Sequence, residues 1–202
     1  MNTIRFDHRP VAPSKVVCIG RNYVEHIQEL GNEMPENMVI FNKPNSSVTD
    51  TLRYFGPETR FEGELCLLIQ GGSVAGIGFG LDLTHAQIQN RLKSKGLPWE
   101  RAKAFDGAAV LSDFVPYRGP FESLRFELYR DGTLAQHADY NLMIYKPQQM
   151  LEEIQSFMTF EDGDIVMTGT PKGVDTYRRG ERFEAIVYTG EKELLRAEWI
   201  CH

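Results

Sequence analysis

The chain has 202 residues, 42% hydrophobic and 25% charged, the composition of an ordinary globular protein with room to bury polar groups. Its 28 acidic against 22 basic residues give a formal net charge of −6, which argues against a non-specific nucleic-acid binder. No stretch approaches the ~20 apolar residues of a membrane-spanning helix, and the opening MNTIRFDHRPVAPSK carries no secretion-like apolar region.

Taken in chain order, residues 16–20 (VVCIG) read as a short buried strand that Gly20 ends. Residues 21–31 (RNYVEHIQELG) have the spacing of a helix, with Tyr23, Ile27 and Leu30 on one stripe and Gly31 as its stop. MVIFNKP (38–44) is a second strand. RFEGELCLLI (60–69) is a third, followed by a Gly-rich turn through which SVAGIGFGLDL is expected to pair back. Residues 83–96 read as a helix, in which Thr84 and Gln87 have capping-box spacing and Gly96 closes the element. Two alternating runs around Asp131-Gly132 (123–140) predict a hairpin. Residues 147–160 predict a helix with Pro147 at its start, and 180–200 a last hairpin. Strands outnumber helices and no linker or repeat interrupts them, so the chain is expected to be one α+β domain over residues 1–202. The three cysteines, Cys18, Cys66 and Cys201, lack CxxC spacing, which fits buried thiols in a reducing cytoplasm.

The strand RFEGELCLLI poses a problem. Glu62 and Glu64 share one face, because side chains of a strand alternate, and the same face runs on into Cys66 and Leu68. Two glutamates whose Cα atoms lie ~6.6 Å apart along a strand can lean their carboxylates onto one hard cation, Mg²⁺ or Mn²⁺ rather than zinc or copper. A half-exposed strand face produces the same Glu-x-Glu pattern. Asp82 would return beside the pair if the next strand folds back, although an acid there also suits a helix start. His26 and Glu29, three apart on a predicted helix, have the spacing of a carboxylate-oriented general base, and equally of a surface contact. Lys103 in WERAKAFDGAAV either snorkels or holds an anion. GTPKG (169–173) lacks the spacing of a phosphate-binding P-loop.

In order, GRNYVEHIQELG, FNKP, FEGELCLLI, GLDLT, the helix ending in Gln89, KGLPWERAKAFD and DGDIVMTGTPKGV resemble the fumarylacetoacetate hydrolase family, most closely its small acylpyruvase-like members, over residues 16–175. The resemblance implies a strand-rich α+β roll, usually a homodimer. It implies that Glu62, Glu64 and Asp82 bind Mg²⁺ or Mn²⁺ and that His26 with Glu29 activates water. Lys103 and Gln89 would meet the substrate carbonyl or oxyanion, and Arg21 and Thr170 would line a pocket for a pyruvoyl carboxylate, with Lys43 as a further member. The implied reaction is hydrolysis of a 3-acylpyruvate. Oxaloacetate decarboxylation and tautomerisation or isomerisation of a 2-oxo diacid use the same site, and a metal-stabilised binding protein without activity is a third reading. One segment departs: where the family usually reads Ala-Arg-Asp after the metal aspartate and Thr/Ser, this chain reads His85-Ala86-Gln87.

Overall fold

The computed structural model describes residues 1–24 and 37–202. The chain folds as a strand-rich α+β roll in which one mixed sheet carries the site. That sheet runs in the order β4 (Val39–Pro44), β3 (Lys15–Gly20), β14 (Ile165–Met167), β7 (Gly63–Gln70), β8 (Ser73–Asp82), β10 (Ala109–Leu111), β5 (Val48–Thr49), with β11 (Val115–Pro116) also on β8. A second sheet, β13 (Thr133–Asp139), β12 (Leu124–Arg130), β16 (Arg182–Thr189), β17 (Lys192–Ile200), is antiparallel throughout. Small pairings complete the set: β1 (Ile4–Phe6) with β2 (Arg9–Val11), and β6 (Thr59–Phe61) between β9 (Thr84–His85) and β15 (Asp175–Thr176).

The first sheet is buried on both faces, and this resolves the strand's two-sided apolar pattern. Leu65, Leu67 and Ile69 point into a large core where Phe79 meets Phe126 (ring centroids 5.0 Å apart) and Phe61 meets Phe183 (4.8 Å) from the second sheet. Cys66 and Leu68 point the other way, into a smaller core with Val16, Cys18, Leu111, Phe114 and Met167. Each large side chain so enclosed contributes roughly 1.5–3 kcal/mol. No sheet face is left for Glu64 to share with solvent.

Among the described residues three short α-helices interrupt the strands, α1 (Ala86–Ser94), α2 (Glu100–Lys103) and α3 (Pro147–Gln155), and most of the helix expected over 21–31 lies outside the described residues. The 147–160 expectation is thus too long, and Pro147 does sit in the first turn, where its missing N–H costs nothing. The helix expected from residue 83 starts at Ala86. Its N-cap residue is His85, which makes no side-chain cap, and Thr84 spends its hydroxyl on Glu62 instead of on the helix. The expected strand 60–69 is broken at Glu62: β6 pairs with β9 and β15, while β7 pairs with β8 and β14. The turn through Gly71 and Gly72, at φ +60° and +73°, brings β8 back along β7. Among the described residues no helix is long and apolar enough to cross a membrane.

Candidate metal centre and its cleft

The carboxylates meet where the chain changes sheets. The β7–β8 register pairs Gly63 with Leu81, and the Asp82 N–H donates to the Glu62 carbonyl at 2.9 Å. Alternation then places Glu62, Glu64 and Asp82 on one face, and one carboxylate oxygen from each lies within 4.8 Å of the others. Glu64 is 2% exposed and Asp82 1%.

Two buried lysines answer this charge. Lys103, at the end of α2, donates to Asp82 Oδ2 at 2.8 Å and to Glu62 Oε2 at 2.9 Å, with its ammonium 5.1 Å from the centre of the Phe41 ring. Lys43 on β4 is fully enclosed and sits 2.7 Å from Asp82 Oδ1; it also donates to the Leu83 and Lys103 carbonyls. It therefore lies behind Asp82 and is absent from the cleft lining, so its placement is that of a support for the carboxylate. Thr84 Oγ1 donates to Glu62 Oε1 at 2.6 Å, and the Gly169 N–H to Glu64 Oε2 at 2.7 Å.

Electrostatics show what the cluster lacks. Burial first, then Asp82 and Glu62, push the Glu64 carboxyl well above its usual range, and Lys103 and the Gly169 N–H pull back only in part. Burial alone would lower the Lys103 ammonium, but Asp82 and Glu62 outweigh it and hold the group above its ordinary value, so it stays charged. With Glu64 ionised, three carboxylates face two ammonium groups, a charge that a bound cation would offset. An all-oxygen donor set with that deficit fits a hard dication such as Mg²⁺ or Mn²⁺.

The centre opens into a cleft lined by Arg21, Gln89, Lys93, Trp99 and Thr170 together with the carboxylates and Lys103. Arg21, Gln89, Thr170 and Lys103, each expected from the sequence, are thus brought to one place. His26 and Glu29 lie outside the described residues.

Other residues of the site carry no local signal in the sequence. Fully buried Asn22 donates to the Tyr145 and Thr168 carbonyls and accepts from the Tyr145 N–H, and so clamps the loop holding Arg21, whose φ of +56° is a left-handed conformation. Gly169 must remain small at φ +94°, since a Cβ there would stand 2.7 Å from the Asn22 Cβ. Gln136, on the hairpin of the second sheet, accepts from the Gly63 N–H and donates to Thr170 Oγ1 and the Pro171 carbonyl. Its partners are 73 and 34 residues away for Gly63 and Thr170, beyond any periodicity argument. Thr84 was visible, but as a helix cap.

Comparison with known proteins agrees with this geometry. Residues 15–197 match the family described as fumarylacetoacetate (FAA) hydrolase, C-terminal. The chain is 35% identical over 187 residues to the oxaloacetate tautomerase YcgM of Escherichia coli, covering 83% of this chain and 85% of the relative. It is 34% identical over 200 residues to the mitochondrial oxaloacetate tautomerase FAHD1 of Arabidopsis thaliana, covering 90% and 89%. Among solved structures, the fumarylpyruvate hydrolase of Pseudomonas aeruginosa in complex with Mn²⁺ and pyruvate superposes with a TM-score of 0.88 at 27% identity, covering 99% of this chain and 95% of that one.

Proposed function

The chain belongs to the fumarylacetoacetate hydrolase family, and from that premise we propose that it is a divalent-metal-dependent enzyme that interconverts the keto and enol forms of oxaloacetate. The observation that carries this reading is the buried triad of Glu62, Glu64 and Asp82 with Lys103 bridging two of its members. Relatives at 34–35% identity bear the name oxaloacetate tautomerase, which supports the same choice.

In the reaction the C3–H bond breaks, its electron pair becomes the C2–C3 double bond, and the 2-oxo oxygen takes up the proton. Glu62, Glu64 and Asp82 would hold a dication, which would supply Lewis-acid polarisation of the 2-oxo group. Lys103, kept as an ammonium by its carboxylate neighbours, donates a hydrogen bond toward the developing oxyanion; one such donor is worth about 2.7–4 kcal/mol elsewhere. Gln89 adds a neutral donor, and Arg21 with Thr170 holds the carboxylate next to the 2-oxo group. His26, oriented by Glu29, carries the C3 proton; this assignment rests on the sequence motif alone. Residues 1–202 act as one catalytic domain, and three buried thiols suit a reducing compartment such as the cytoplasm.

Hydrolysis of a 3-acylpyruvate, the reading drawn first from the sequence, becomes the second one, kept by the fumarylpyruvate hydrolase among the structural relatives. The deciding experiment follows enol absorbance and pyruvate release from oxaloacetate, and cleavage of acetylpyruvate, with metal-stripped and Mg²⁺- or Mn²⁺-loaded protein. Metal-dependent loss of the enol signal that outruns pyruvate release is the expected result. Turnover of acetylpyruvate with no acceleration of tautomerisation would replace the first reading by the second.

A further inference from the structure

Beside the carboxylate triad the molecule collects unspent positive charge. A cavity of about 660 Å³ adjoins Glu62 and is lined by Arg21, Arg60, Gln89, Asn90 and Lys93. Among the described residues, the ion pairs near it engage Lys43 and Lys103, and none uses Arg21, Arg60 or Lys93. Among the described residues, Arg21 Nε is buried with no hydrogen-bond partner. The nearest carboxylate, Glu62, is already held by Lys103 and Thr84.

Local structure explains why these groups converge. Arg60 precedes Glu62 by two residues, on the same side of the extended chain, and its register partner on β9 is Thr84. Lys93 stands seven residues after Ala86 on α1; Ala86, Gln89, Asn90 and Lys93 form one i, i+3, i+4, i+7 face, and all four line the cavity. The same cavity is lined by Glu62 of the triad, by Ala86 and by Lys93, so a ligand anchored at the triad has space to extend toward Lys93. Burial, then Arg21, with Lys103 and Arg60 behind, hold the Lys93 ammonium below its ordinary pKa, and only Glu62 opposes them. An arriving anion relieves that crowding.

We propose that Arg60 and Lys93 form a second anion subsite that receives the distal carboxylate of the substrate, so that the cleft selects dicarboxylic 2-oxo acids over monocarboxylic ones. The inference rests on the reading above that the triad end binds the 2-oxo acid head.

The test compares oxaloacetate with its 4-methyl ester, which keeps the 2-oxo acid head and loses the distal charge, in metal-loaded wild type, Lys93→Gln, Arg60→Gln and Lys93→Arg. Wild type should favour oxaloacetate in kcat/KM. Each glutamine variant should collapse that preference at least about tenfold through KM, the size expected for one charge-assisted contact, and Lys93→Arg should restore most of it. Equal losses on both substrates, or an intact preference, would overturn the subsite. Should wild type turn over neither compound, the proposed function fails on its own. The subsite is then read by calorimetry as tighter binding of oxaloacetate than of the ester, an advantage that both glutamine variants must erase if the subsite is real.

Discussion

The tripeptide Arg-Phe-Glu occurs three times in this chain, as Arg60-Phe61-Glu62, Arg125-Phe126-Glu127 and Arg182-Phe183-Glu184. In all three the phenylalanine is buried in the shared core, at 0%, 2% and 0% exposure. The glutamates part company. Glu127 takes hydrogen bonds from Arg125, Tyr129 and Tyr188, and Glu184 pairs with Arg196, both on the outer face of the second sheet. Glu62 instead meets a buried ammonium and two more carboxylates. Strand alternation decides which residue faces the core, whereas the packing above the sheet decides what the other face is for. At β12 and β16 that face is solvent; at the β6–β7 break it is covered by α1 and α2.

The largest difference is expected when corresponding carboxylates are neutralised. Glu64→Gln or Asp82→Asn should abolish Mn²⁺ binding in calorimetry and lower turnover by at least about 10²–10³-fold, the loss that follows removal of one preorganised hydrogen-bond donor in other active sites. Glu184→Gln should bind Mn²⁺ like wild type and shift stability by less than about 1 kcal/mol, because its ion pair is exposed. A Glu64→Gln protein that retains its metal affinity would refute the centre.

Buried and exposed cations should differ in the same way. Lys43→Met leaves Asp82 and two carbonyls without their buried cation and should cost about 3–5 kcal/mol in urea unfolding. Arg182→Ala, which breaks an exposed pair with Glu198, should cost less than about 1 kcal/mol. Equal costs would mean that the buried network adds nothing beyond a surface pair.

The residue after each glutamate is a further discriminator. It is Ala185 in the third copy but Gly63 in the first, where a Cβ would stand 2.8 Å from both Gln136 Oε1 and Leu128 Cδ2. Gly63→Ala should destabilise the fold by about 1–3 kcal/mol and weaken metal binding by shifting Glu62 and Glu64 together.

The smallest effect separates two buried carboxylates. Asp164 joins β3 to β14: it accepts from the Ser14 hydroxyl, the Ser14, Lys15 and Glu161 N–H groups, and the Lys15 ammonium. Burial pushes its carboxyl upward, but the Lys15 bond and the others outweigh it, so its folded pKa lies below the ordinary value while that of Glu64 lies above. A depressed pKa adds stability that is present above the unfolded value of about 3.9 and is lost as the pH falls through the folded one. Urea midpoints measured on acidification should show that loss in wild type and not in Asp164→Asn. Surplus donors suit a structural role for Asp164, and their shortage at Glu64 is what the proposed metal centre would answer.

Much of the fold was legible in the residues themselves. Alternation and turn residues located β7, β8, the Asp131-Gly132 hairpin and the last hairpin, and the ordered motifs identified the family. The glutamate pair was legible as a pair, and the apolar continuation through Cys66 and Leu68 pointed inward. Thr84 misled, because a hydroxyl before a helix looks the same whether it caps the helix or bonds a distant carboxylate. Gln136 and Asn22 left no trace, since their partners lie across the sheets, and neither Arg60 nor Lys93 stood out among 22 basic residues.

By itself the sequence determined which side chains seek the interior, because a two- or 3.6-residue period is a local consequence of backbone geometry. Tertiary structure alone decided that Glu62, Glu64, Asp82, Lys43 and Lys103 would share one enclosed space. Register, a strand that changes sheets and helices laid over its face set those distances, and electrostatic interaction grows steeply when distance and solvent are removed together.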